Sequence, residues 1–553
     1  MKSFITFPPR VTESLLKTEA PNVRMMPEVP VAGAVSYSIA LQNVKKQTGR
    51  VTEQPSWMPT WHHAGRTPQH YLTGPPAEFS LMRYLWGTHP ALDVLNLANN
   101  EGENSRERHF DLLFPACGDL RNVIKTLLGL PQQYQGKCCV IINDKDFQVV
   151  ARNVIMLLVA HHLESDIAVP LIIHLWYSAF IPAVMLYTLQ SSILPLIAGV
   201  CDKIKNKADD SLQAKTYKCR NRELHLVFTK EQWMALPKYF EVPEDLSREK
   251  AQAIRHNRYF APEMLDFRER MFTIWTPPVR QGEMHFRETG LLLPQSTSQV
   301  AFDTPNPTLF QSASWSLYNS ASPRDGWSAA EYRKYATAAK DDDFGALYFY
   351  LIDNLGQFCN RLHTDDIAIK MFSVDAYDAS NICDNVFLGT HRCLESFFTL
   401  LKPKSQNPHA TLLLLYISAI TETILSFPSP ERIKRTDSQG VMRIKKYMPV
   451  SPDFVALVRH DVDKKKLISH PDYISGSGNA NRLIDWDQLW DFYAQHLVYE
   501  AIDYYDLKIK DKHTIVEPWA FKAWPHATQK EFDDLRAGQT SGMERYLELE
   551  RIE

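Results

Sequence analysis

Two separate parts of the chain show the alternation of apolar strands and helices from which parallel sheets are built. In the first part, an apolar strand (Phe110–Phe114), a turn of small residues (Pro115–Asp119) and a helix precede a second apolar strand, Cys138–Ile142, and a long apolar helix. In the second part, AIKMFSVDAYDASNI and NPHATLLLLYIS read as buried strands with a helix across His391–Leu401 between them. This order predicts parallel strands and right-handed crossovers.

The stretch between these parts, residues 163–365, is mostly helical and shows no strand–helix alternation. We therefore predict an α/β protein with one mostly parallel, methyltransferase-like (Rossmann-type) sheet that is split by a large helical insertion. The segment HTIVEPWAFKAW reads as a final strand with a proline turn. The predicted units are an N-terminal arm (1–75), a first sheet half (76–163), the insertion (164–366), a second sheet half (367–427) and a basic and aromatic extension that ends in a strand (428–553).

The composition is that of a soluble folded protein. Of 553 residues, 44% are hydrophobic and 23% are charged, and the net charge is −3, so we expect no DNA partner and any nucleic-acid contact needs a local basic patch. The cysteines and the paired histidines, among them His62 and His63, lack zinc-ligand spacing, which predicts reduced thiols and no metal. Prolines near the N-terminus interrupt any signal-peptide core, so a cytoplasmic protein is expected.

One charge-free stretch, Pro170–Val200, is long enough to span a bilayer. His174 and the internal prolines Pro182 and Pro195 favour instead two or three short helices buried in a large domain. A membrane span stays open as the alternative, although no stable membrane association is expected.

Polar side chains collect where the predicted strands end, and open parallel sheets bind their ligands at that edge. Two groups should meet there, together with residues that end the second strand. The first group is Gly118, Asp119, Arg121 and Asn122, the second is Asp375, Asp378, Ser380 and Asn381, and Asn143 and Asp146 lie between or beside them. Ala116 and Cys117 precede the first group, Asp384 follows the second, and Asp144 follows Asn143 at the end of the second strand.

These residue types suggest distinct roles at a shared crevice. Gly118 permits a tight turn, and the N-terminal amides of the following helix can hold an anion or a carboxylate. Asp119 is either the cap of that helix or a catalytic acid or base, and Asp375 and Asp378 are further candidate catalytic carboxylates. Ser380 is either an acyl acceptor or an ordinary turn serine. The remaining members of the three sets are candidate substrate-binding residues.

A basic stretch follows the last predicted sheet strand. Its candidate phosphate-binding residues are Arg432, Lys434, Arg435, Arg443, Lys445 and Lys446. If these charges share one face they can bind the phosphates of a tRNA, and the alternative is a solvated loop. The aromatic helix beyond it, Trp486–Tyr505, is more typical of a core element than of a base-stacking surface.

The layout resembles methyltransferases that use S-adenosylmethionine, in which the first strand-turn holds the methionine end and an acid after the second strand holds the ribose. The turn here, ACGD, offers one glycine where those enzymes usually show a glycine-rich run. A fold that kept its shape and lost the cofactor is therefore as consistent with the sequence as a cofactor-binding site.

Several distinctive segments resemble the fungal proteins grouped as domain of unknown function 4470. They include YLWGTHPALDVLNLANNEG, DLLFPACGDLRNVIKTLLGLP, INDKDFQVVARN, DASNICDNVFLG, LLKPKSQNPHATLLL and HTIVEPWAF. The resemblance covers roughly residues 76–163 and 367–420 and a last short segment at 513–521. No zinc finger accompanies it. At the level of the fold, these proteins also resemble an axonemal dynein assembly factor.

Within that family, the chain resembles most the arginine-containing cyclodipeptide synthases of secondary metabolism. The resemblance implies an enzyme without a cofactor that joins arginine from arginyl-tRNA to a second amino acid or aminoacyl-tRNA and closes a diketopiperazine. The acidic D-D-x-x-E motif associated with those synthases does not occur here, so the resemblance assigns no catalytic carboxylate. The alternatives are an S-adenosylmethionine-dependent methyltransferase and a cofactor-free interaction or assembly factor.

Overall fold

A computed structural model describes residues 57–72, 75–76, 83–102, 105–219, 222–312, 314–315, 317–336, 341–373, 383–426, 443–459 and 464–552. The strands are β1 Phe110–Pro115, β2 Lys137–Asn143, β3 Phe180–Ile181, β4 Leu212–Cys219, β5 Arg222–Thr229, β6 Thr304–Pro305, β7 Asp366–Phe372, β8 Leu412–Tyr416, β9 Leu507–Ile509 and β10 Arg545–Arg551.

The first ten α-helices are α1 Thr60–His63, α2 Arg121–Leu128, α3 Phe147–His162, α4 Ser165–Tyr177, α5 Ala183–Thr188, α6 Leu194–Ile204, α7 Lys230–Ala235, α8 Arg248–Tyr259, α9 Leu265–Ile274 and α10 Pro277–Thr289. The others are α11 Ala329–Tyr332, α12 Asp343–Thr364, α13 Thr390–Phe397, α14 Ala419–Ser426, α15 Pro452–Arg459, α16 Lys464–Ser469, α17 Pro471–Ala480, α18 Asp487–Leu497, α19 Tyr499–Tyr504 and α20 Gln529–Ala537. A π-helical turn, Leu189–Ile193, joins α5 to α6, and 3-10 turns lie at Gln69–Tyr71, Leu236–Phe240, Pro262–Met264, Pro323–Gly326, Arg333–Tyr335, Phe398–Leu400 and Asn481–Leu483.

The main sheet has five strands in the order β1-β2-β7-β5-β4. The pairs β1–β2, β2–β7 and β7–β5 are parallel, and β4 pairs antiparallel with β5. The predicted α/β class with a mostly parallel sheet is confirmed, and so is the return of the chain to that sheet at β7 after a long excursion.

One face of this sheet carries the largest core of the protein. The long helix α12 packs against α2, α3 and α4, and inward-facing sheet residues such as Val140, Ile142 and Met371 are buried in the same core. The other face has a smaller apolar cluster around Ile141 and Val227. These packed helices therefore hold β1, β2 and β7 in place, including the edge of the sheet at which the three strands end.

The hairpin β4–β5 comes from the segment that was predicted to be mostly helical, and the sequence pattern did not reveal these two strands of the main sheet. Residues of β4 are mostly half-buried and alternate between polar and apolar types, as in LQAKTYKC. An edge strand of this kind lacks the continuous apolar run that marks an internal parallel strand. Its pairing with β5 extends the main sheet on the side opposite β1.

The predicted placement of β8 in the main sheet is also wrong. This strand belongs to a separate sheet of three strands in the order β8-β10-β9, packed against the aromatic helix α18 through Tyr416 and Trp490. An apolar run such as LLLLY identifies a strand but not its partner, because β10 lies far along the chain. The prediction that the aromatic helix belongs to a core is confirmed.

The segment HTIVEPWAFKAW, at 513–524, forms turns instead of the predicted strand. Its backbone N–H groups at Thr514, Ile515 and Val516 donate to the buried carboxylate of Glu548 at 2.9, 2.7 and 3.0 Å. A side chain thus satisfies the amides that a neighbouring strand would otherwise bind. The chain does end in a strand, but that strand is β10.

The charge-free stretch forms buried α4 and then the continuous helical segment from α5 to α6. In the part of the chain that the structure describes, Ala183–Ile204 is the one helix whose length and apolarity would allow it to cross a membrane, and 33% of its most apolar window is buried. Exposed apolar side chains on this segment include Val184 and Tyr187. One such helix is weak evidence for a membrane span, because core helices share these properties.

Candidate functional site

The turn after β1 is closed by hydrogen bonds to the end of β2. Ala116 and Gly118 have positive φ angles of 46° and 56°, which reverse the chain sharply before α2. The backbone N–H of Cys117 donates to the carbonyl of Asn143 (3.1 Å), and that of Gly118 donates to the carboxylate of Asp144 (2.9 Å). Two amides that could hold a ligand are therefore already bonded within the protein.

Asp144 is the acidic residue that follows β2, and its buried side chain points to the turn after β1. Its second oxygen accepts from the backbone N–H of Asp146 (3.0 Å), and burial raises the pKa of the carboxyl. Asn153 of α3 completes the arrangement by donating to the carbonyl of Gly118 (2.7 Å). The sequence predicts Asn143, Asp144 and Asp146 at this edge, but position in the sequence does not reveal that Asp144 is the residue whose side chain binds the turn.

Asp146 and Asn122 also use their side chains within the protein. Asp146 caps α3 by accepting from the backbone N–H of Gln148 (2.9 Å), and it lies 3.9 Å from the guanidinium of Arg83. Asn122 accepts from the backbone N–H of Leu92 (3.0 Å). These contacts hold the chain on both sides of the turn.

Asp119 and Arg121 form a buried ion pair that holds the preceding chain segment. Oδ1 of Asp119 lies 2.6 Å from Nη1 of Arg121, and Oδ2 accepts from the backbone N–H of Gly87 (2.6 Å). Nε of Arg121 donates to the carbonyl of His89 (2.9 Å). Burial alone would lower the pKa of the Arg121 guanidinium, but the charge and hydrogen bond of Asp119 raise it.

Asp119 lies one residue before the N-cap of α2, Leu120, which makes no side-chain cap hydrogen bond. Oδ1 of Asp119 does accept from the backbone N–H of Arg121, the first residue of α2, at 3.3 Å, and both of its oxygens accept bonds from protein donors. A catalytic role for Asp119 stays a prediction. The packing is close, since a Cβ added to Gly87 would lie 2.3 Å from the Arg121 guanidinium. The pair therefore positions the Gly87–Pro90 segment.

The Gly87–Pro90 segment joins the turn to the C-terminal part of the chain. The backbone N–H of Ala91 donates to the carbonyl of Gly326 (2.9 Å), and Nε2 of His89 lies 3.7 Å from the buried carboxylate of Glu544. Burial alone would raise the pKa of Glu544, but its bonds to His89 and to backbone amides lower that pKa to about 2.

A cavity of about 530 Å³ lies beside this segment, which is an ordinary size for a small-molecule site. Its walls come from the Gly87–Pro90 segment, from the chain around α11 and from the chain that leads into α20. Side chains with functional chemistry at its surface are Trp327, Tyr332, Phe521, Lys522, Trp524, His526, Glu531 and Asp534.

The two carboxylates of the cavity differ in the contacts that they already make. Asp534 accepts from Arg333 (2.9 Å) and from Lys530 (2.8 Å), so its charge is balanced within the protein. Glu531 uses one oxygen to bind Thr528 at the start of α20, at 2.7 and 2.8 Å, and it is exposed. Glu531 is thus the cavity carboxylate with more capacity for a cationic ligand.

Aromatic faces, the Lys522 amine, the His526 imidazole and the Arg324 guanidinium also line the cavity, and Arg324 is paired with Glu283 at 2.9 Å. Trp327 and Phe521 are buried, while Trp524 is 52% exposed at the rim. The Nζ atom of Lys522 lies 5.5 Å from the centre of the Trp524 ring and 3.8 Å from Asp485. Aromatic faces next to carboxylates suit a planar cation such as a guanidinium.

The described part of the basic stretch lies next to this cavity. Arg443, Lys445 and Lys446 are exposed, and Nζ of Lys446 donates to the carbonyls of Pro525 and Ala527 at 3.4 Å. Ala527 is itself a cavity residue. The three other predicted phosphate-binding residues, Arg432, Lys434 and Arg435, lie outside the described residues.

Most of the second predicted group falls outside the described residues, namely Asp375, Asp378, Ser380 and Asn381, so their catalytic and substrate-binding roles stay predictions. Asp384, which follows them, is buried and accepts from the backbone N–H groups of Ile417 and Ser418 at 2.9 and 3.0 Å, just beyond β8. Strand β7 ends at Phe372, which pairs with Asn143 of β2. The described contacts bring together the first group and the residues after β2, and they connect that cluster to the cavity through the Gly87–Pro90 segment.

These features define a mixed α/β protein with a mostly parallel sheet. A cavity lies next to the cluster of polar residues at the ends of β1 and β2. Residues 85–181 match the family model described as domain of unknown function DUF4470. The match spans the Gly87–Pro90 segment, β1, β2 and the helices up to α4, and it supports the predicted family assignment. No curated protein and no solved structure matches the chain.

Proposed function

We propose that the chain is an arginine-containing cyclodipeptide synthase that uses arginyl-tRNA. The observation that carries the proposal is the cavity of about 530 Å³ with an acidic and aromatic lining and exposed basic residues beside it. The cavity would hold the arginyl end of the tRNA, and the basic residues would bind its phosphates. The resemblance in the DUF4470 segment supports the same proposal.

Recognition of the arginyl side chain would depend on Glu531 and the ring of Trp524. A guanidinium binds a carboxylate through paired N–H donors and stacks on an aromatic face. The protein already contains a comparable arrangement in Arg333, whose guanidinium binds Asp343 through two bonds of 2.9 and 2.8 Å and also contacts Asp534. Oε2 of Glu531 already accepts two bonds from Thr528, so a substrate arginine would bind this carboxylate through Oε1.

The reaction forms two amide bonds and breaks two ester bonds when both substrates are aminoacyl-tRNAs. The α-amine of one aminoacyl group attacks the ester carbonyl of the other, and the first tRNA leaves as its free hydroxyl. The amine of the dipeptidyl-tRNA then attacks the remaining ester, which closes the ring and releases the second tRNA. Each attacking amine must lose a proton, so a general base is required. His526 in the cavity, and Asp375 and Asp378, are the candidates for that base.

Expression in a bacterial host that is fed isotope-labelled arginine tests the proposal. Mass spectrometry of the extract should detect a new diketopiperazine that carries the label and is absent from cells with an empty vector. A well-folded protein that yields no such compound would contradict the proposal.

The contacts at the strand-end turn favour a cofactor-free enzyme over an S-adenosylmethionine-dependent methyltransferase. The amide of Gly118 and the carboxylate of Asp144 bind each other, whereas a methyltransferase would use the turn and the following acid for the cofactor. Calorimetry with S-adenosylmethionine distinguishes the two. Measurable heat with one-to-one binding would favour the methyltransferase.

An interaction or assembly factor is the second candidate, and the exposed apolar residues of Ala183–Ile204 favour it. Val184 is 42% exposed and Tyr187 is 65% exposed, on a helical segment without charge over most of its length. Large exposed apolar side chains that cluster are typical of partner-binding surfaces. This candidate predicts a stable complex on pull-down and no diketopiperazine.

A further inference from the structure

A second cluster of side chains with metal-ligand chemistry lies outside the cavity described above. It consists of His62 on α1, Asp453 on α15 and His470, which directly precedes α17. The ligand atoms of these residues all lie within 4.8 Å of one another. Nε2 of His470 is 3.2 Å from Oδ2 of Asp453, and the ring centres of the two histidines are 5.2 Å apart.

We propose that these three residues bind a divalent transition metal, with Zn²⁺ as the best match. Two imidazole nitrogens and one carboxylate are a ligand set that such metals take in proteins, and three protein ligands leave a position open for water. The site is independent of the proposed reaction, since no step of cyclodipeptide formation uses it.

Contacts made without metal already hold two of the ligands near each other. The indole Nε1 of Trp61, the neighbour of His62, donates to the carbonyl of Ser469, the neighbour of His470, at 3.0 Å. Trp61 is fully buried. This bond fixes the backbone on both sides of the cluster, so little chain ordering remains to be done when a metal binds.

The imidazole of His62 must approach the other two ligands when a metal binds. Zinc with ligands at about 2.0–2.1 Å keeps its donor atoms roughly 3.3–3.5 Å apart. Because Asp453 and His470 are already 3.2 Å apart, the distances that must shorten are those to His62, by up to roughly 1.4 Å. His62 is half-buried and the Asp453 side chain is 61% exposed, so both are less enclosed than His470, which is 6% exposed.

Binding of a metal through Nε2 of His470 requires a change of tautomer. Its Nδ1 accepts from the backbone N–H of Asp472 (3.1 Å), which leaves the proton on Nε2 to donate to Asp453. With a metal on Nε2 the proton moves to Nδ1, and the helix-capping bond is lost. The carboxylate of Asp472 lies 4.0 Å from Nδ1 and already accepts from Ser451, so it must move closer to become the outer partner of this histidine.

Sequence spacing did not suggest this site. No carboxylate or thiol lies at ligand spacing beside His62 and His63 in the sequence, whereas Asp453 and His470 come from a distant part of the chain. A bound metal would tie the segment at 57–72 to α15 and α17.

Calorimetric titration of Zn²⁺ into the full chain, after removal of metals with a chelator, tests the proposal. We expect one Zn²⁺ per chain and an increase in the melting temperature. His62→Ala and Asp453→Asn should each weaken binding by at least roughly tenfold and remove the thermal shift.

His63→Ala is the matched control, because His63 is exposed on the same short helix and is not part of the cluster. It should bind Zn²⁺ like the wild type. His470→Ala is unsuitable as the main variant, since it also removes the cap of α17. Absence of Zn²⁺ binding by the wild type, or equal affinity in His62→Ala, would overturn the proposal.

Discussion

Three of the buried acids in the described chain accept hydrogen bonds from donors within the protein. Asp119 binds a guanidinium and a backbone amide, Asp144 binds two backbone amides, and Glu548 binds three. A buried carboxylate without such partners is strongly destabilising, so these contacts are required for folding before any role in chemistry is considered.

Replacement of Asp119 by Ala should destabilise the protein strongly. The change leaves the Arg121 guanidinium buried without its partner, which typically costs about 3–5 kcal/mol in the free energy of unfolding. Urea denaturation of the wild type and of Asp119→Ala measures this difference in the free energy of unfolding. The double variant Asp119→Ala/Arg121→Met should recover part of that loss, because no unpaired charge remains. Strictly additive losses would show that the pair is not coupled.

The stability contribution of Glu544 should depend on pH in the acid range. Its folded pKa of about 2 lies below the ordinary value of 4.5, so its stabilisation is complete above pH 4.5 and is lost as the pH falls toward 2. The shift corresponds to roughly 3 kcal/mol. The difference in unfolding free energy between wild type and Glu544→Gln should therefore shrink over this range. A difference that is constant with pH would contradict the assignment.

Sequence alone could locate the turn residues but not assign their contacts. Gly118, with its positive φ, and the helix start near Arg121 follow from local sequence rules. The partner of Asp119 is Gly87, and the inward turn of Asp144 depends on tertiary packing. The cavity was missed for the same reason, since Pro90, Trp327 and Glu531 come from three distant segments.

Among the structural elements, those with continuous apolar runs were predicted and those with mixed runs were not. The strands β1, β2 and β7 and the helices between β1 and α4 follow from periodicity, because both faces of the strands are covered. The edge hairpin β4–β5 and the partner of β8 depend on non-local pairing that no local pattern encodes.

Two glycine substitutions should have opposite effects on stability. Gly87→Ala places a Cβ 2.3 Å from the Arg121 guanidinium, so the Gly87–Pro90 segment must shift, at a cost of about 1–3 kcal/mol. Gly199→Ala, on the exposed side of α6 with no atom within 4 Å, should stabilise by about 0.5–1 kcal/mol. Thermal denaturation distinguishes them, and equal effects would contradict the described packing.

At the scale of the whole molecule, the DUF4470 segment and the C-terminal part meet at the cavity. The first contributes Pro90, and the second contributes α20 and the chain before it, next to the basic residues around Lys445. A site of this kind requires both parts of the chain, so an isolated DUF4470 segment would lack most of the cavity.

Binding of tRNA should depend on Lys445. The slope of log K against log salt concentration is negative for nucleic-acid binding. Removal of one phosphate contact makes this slope less steep by roughly 0.7–0.9. Lys445→Ala should show this change in a filter-binding titration, whereas Lys512→Ala, an exposed lysine outside the basic stretch, should not. An unchanged slope in Lys445→Ala would remove this residue from the proposed tRNA surface.

The most direct test of the proposed function is a reconstituted reaction with tRNA that carries isotope-labelled arginine, in the presence of excess unlabelled free arginine. The purified chain should release a labelled cyclic dipeptide, detected by mass spectrometry. Glu531→Gln should lower its yield, because the glutamine keeps the α20 capping contact and removes the charge that would bind the guanidinium. Asp533→Asn, on the same helix but outside the cavity, should leave the yield unchanged. Absence of a cyclic dipeptide, or a product that contains only the unlabelled arginine, would contradict the proposed function.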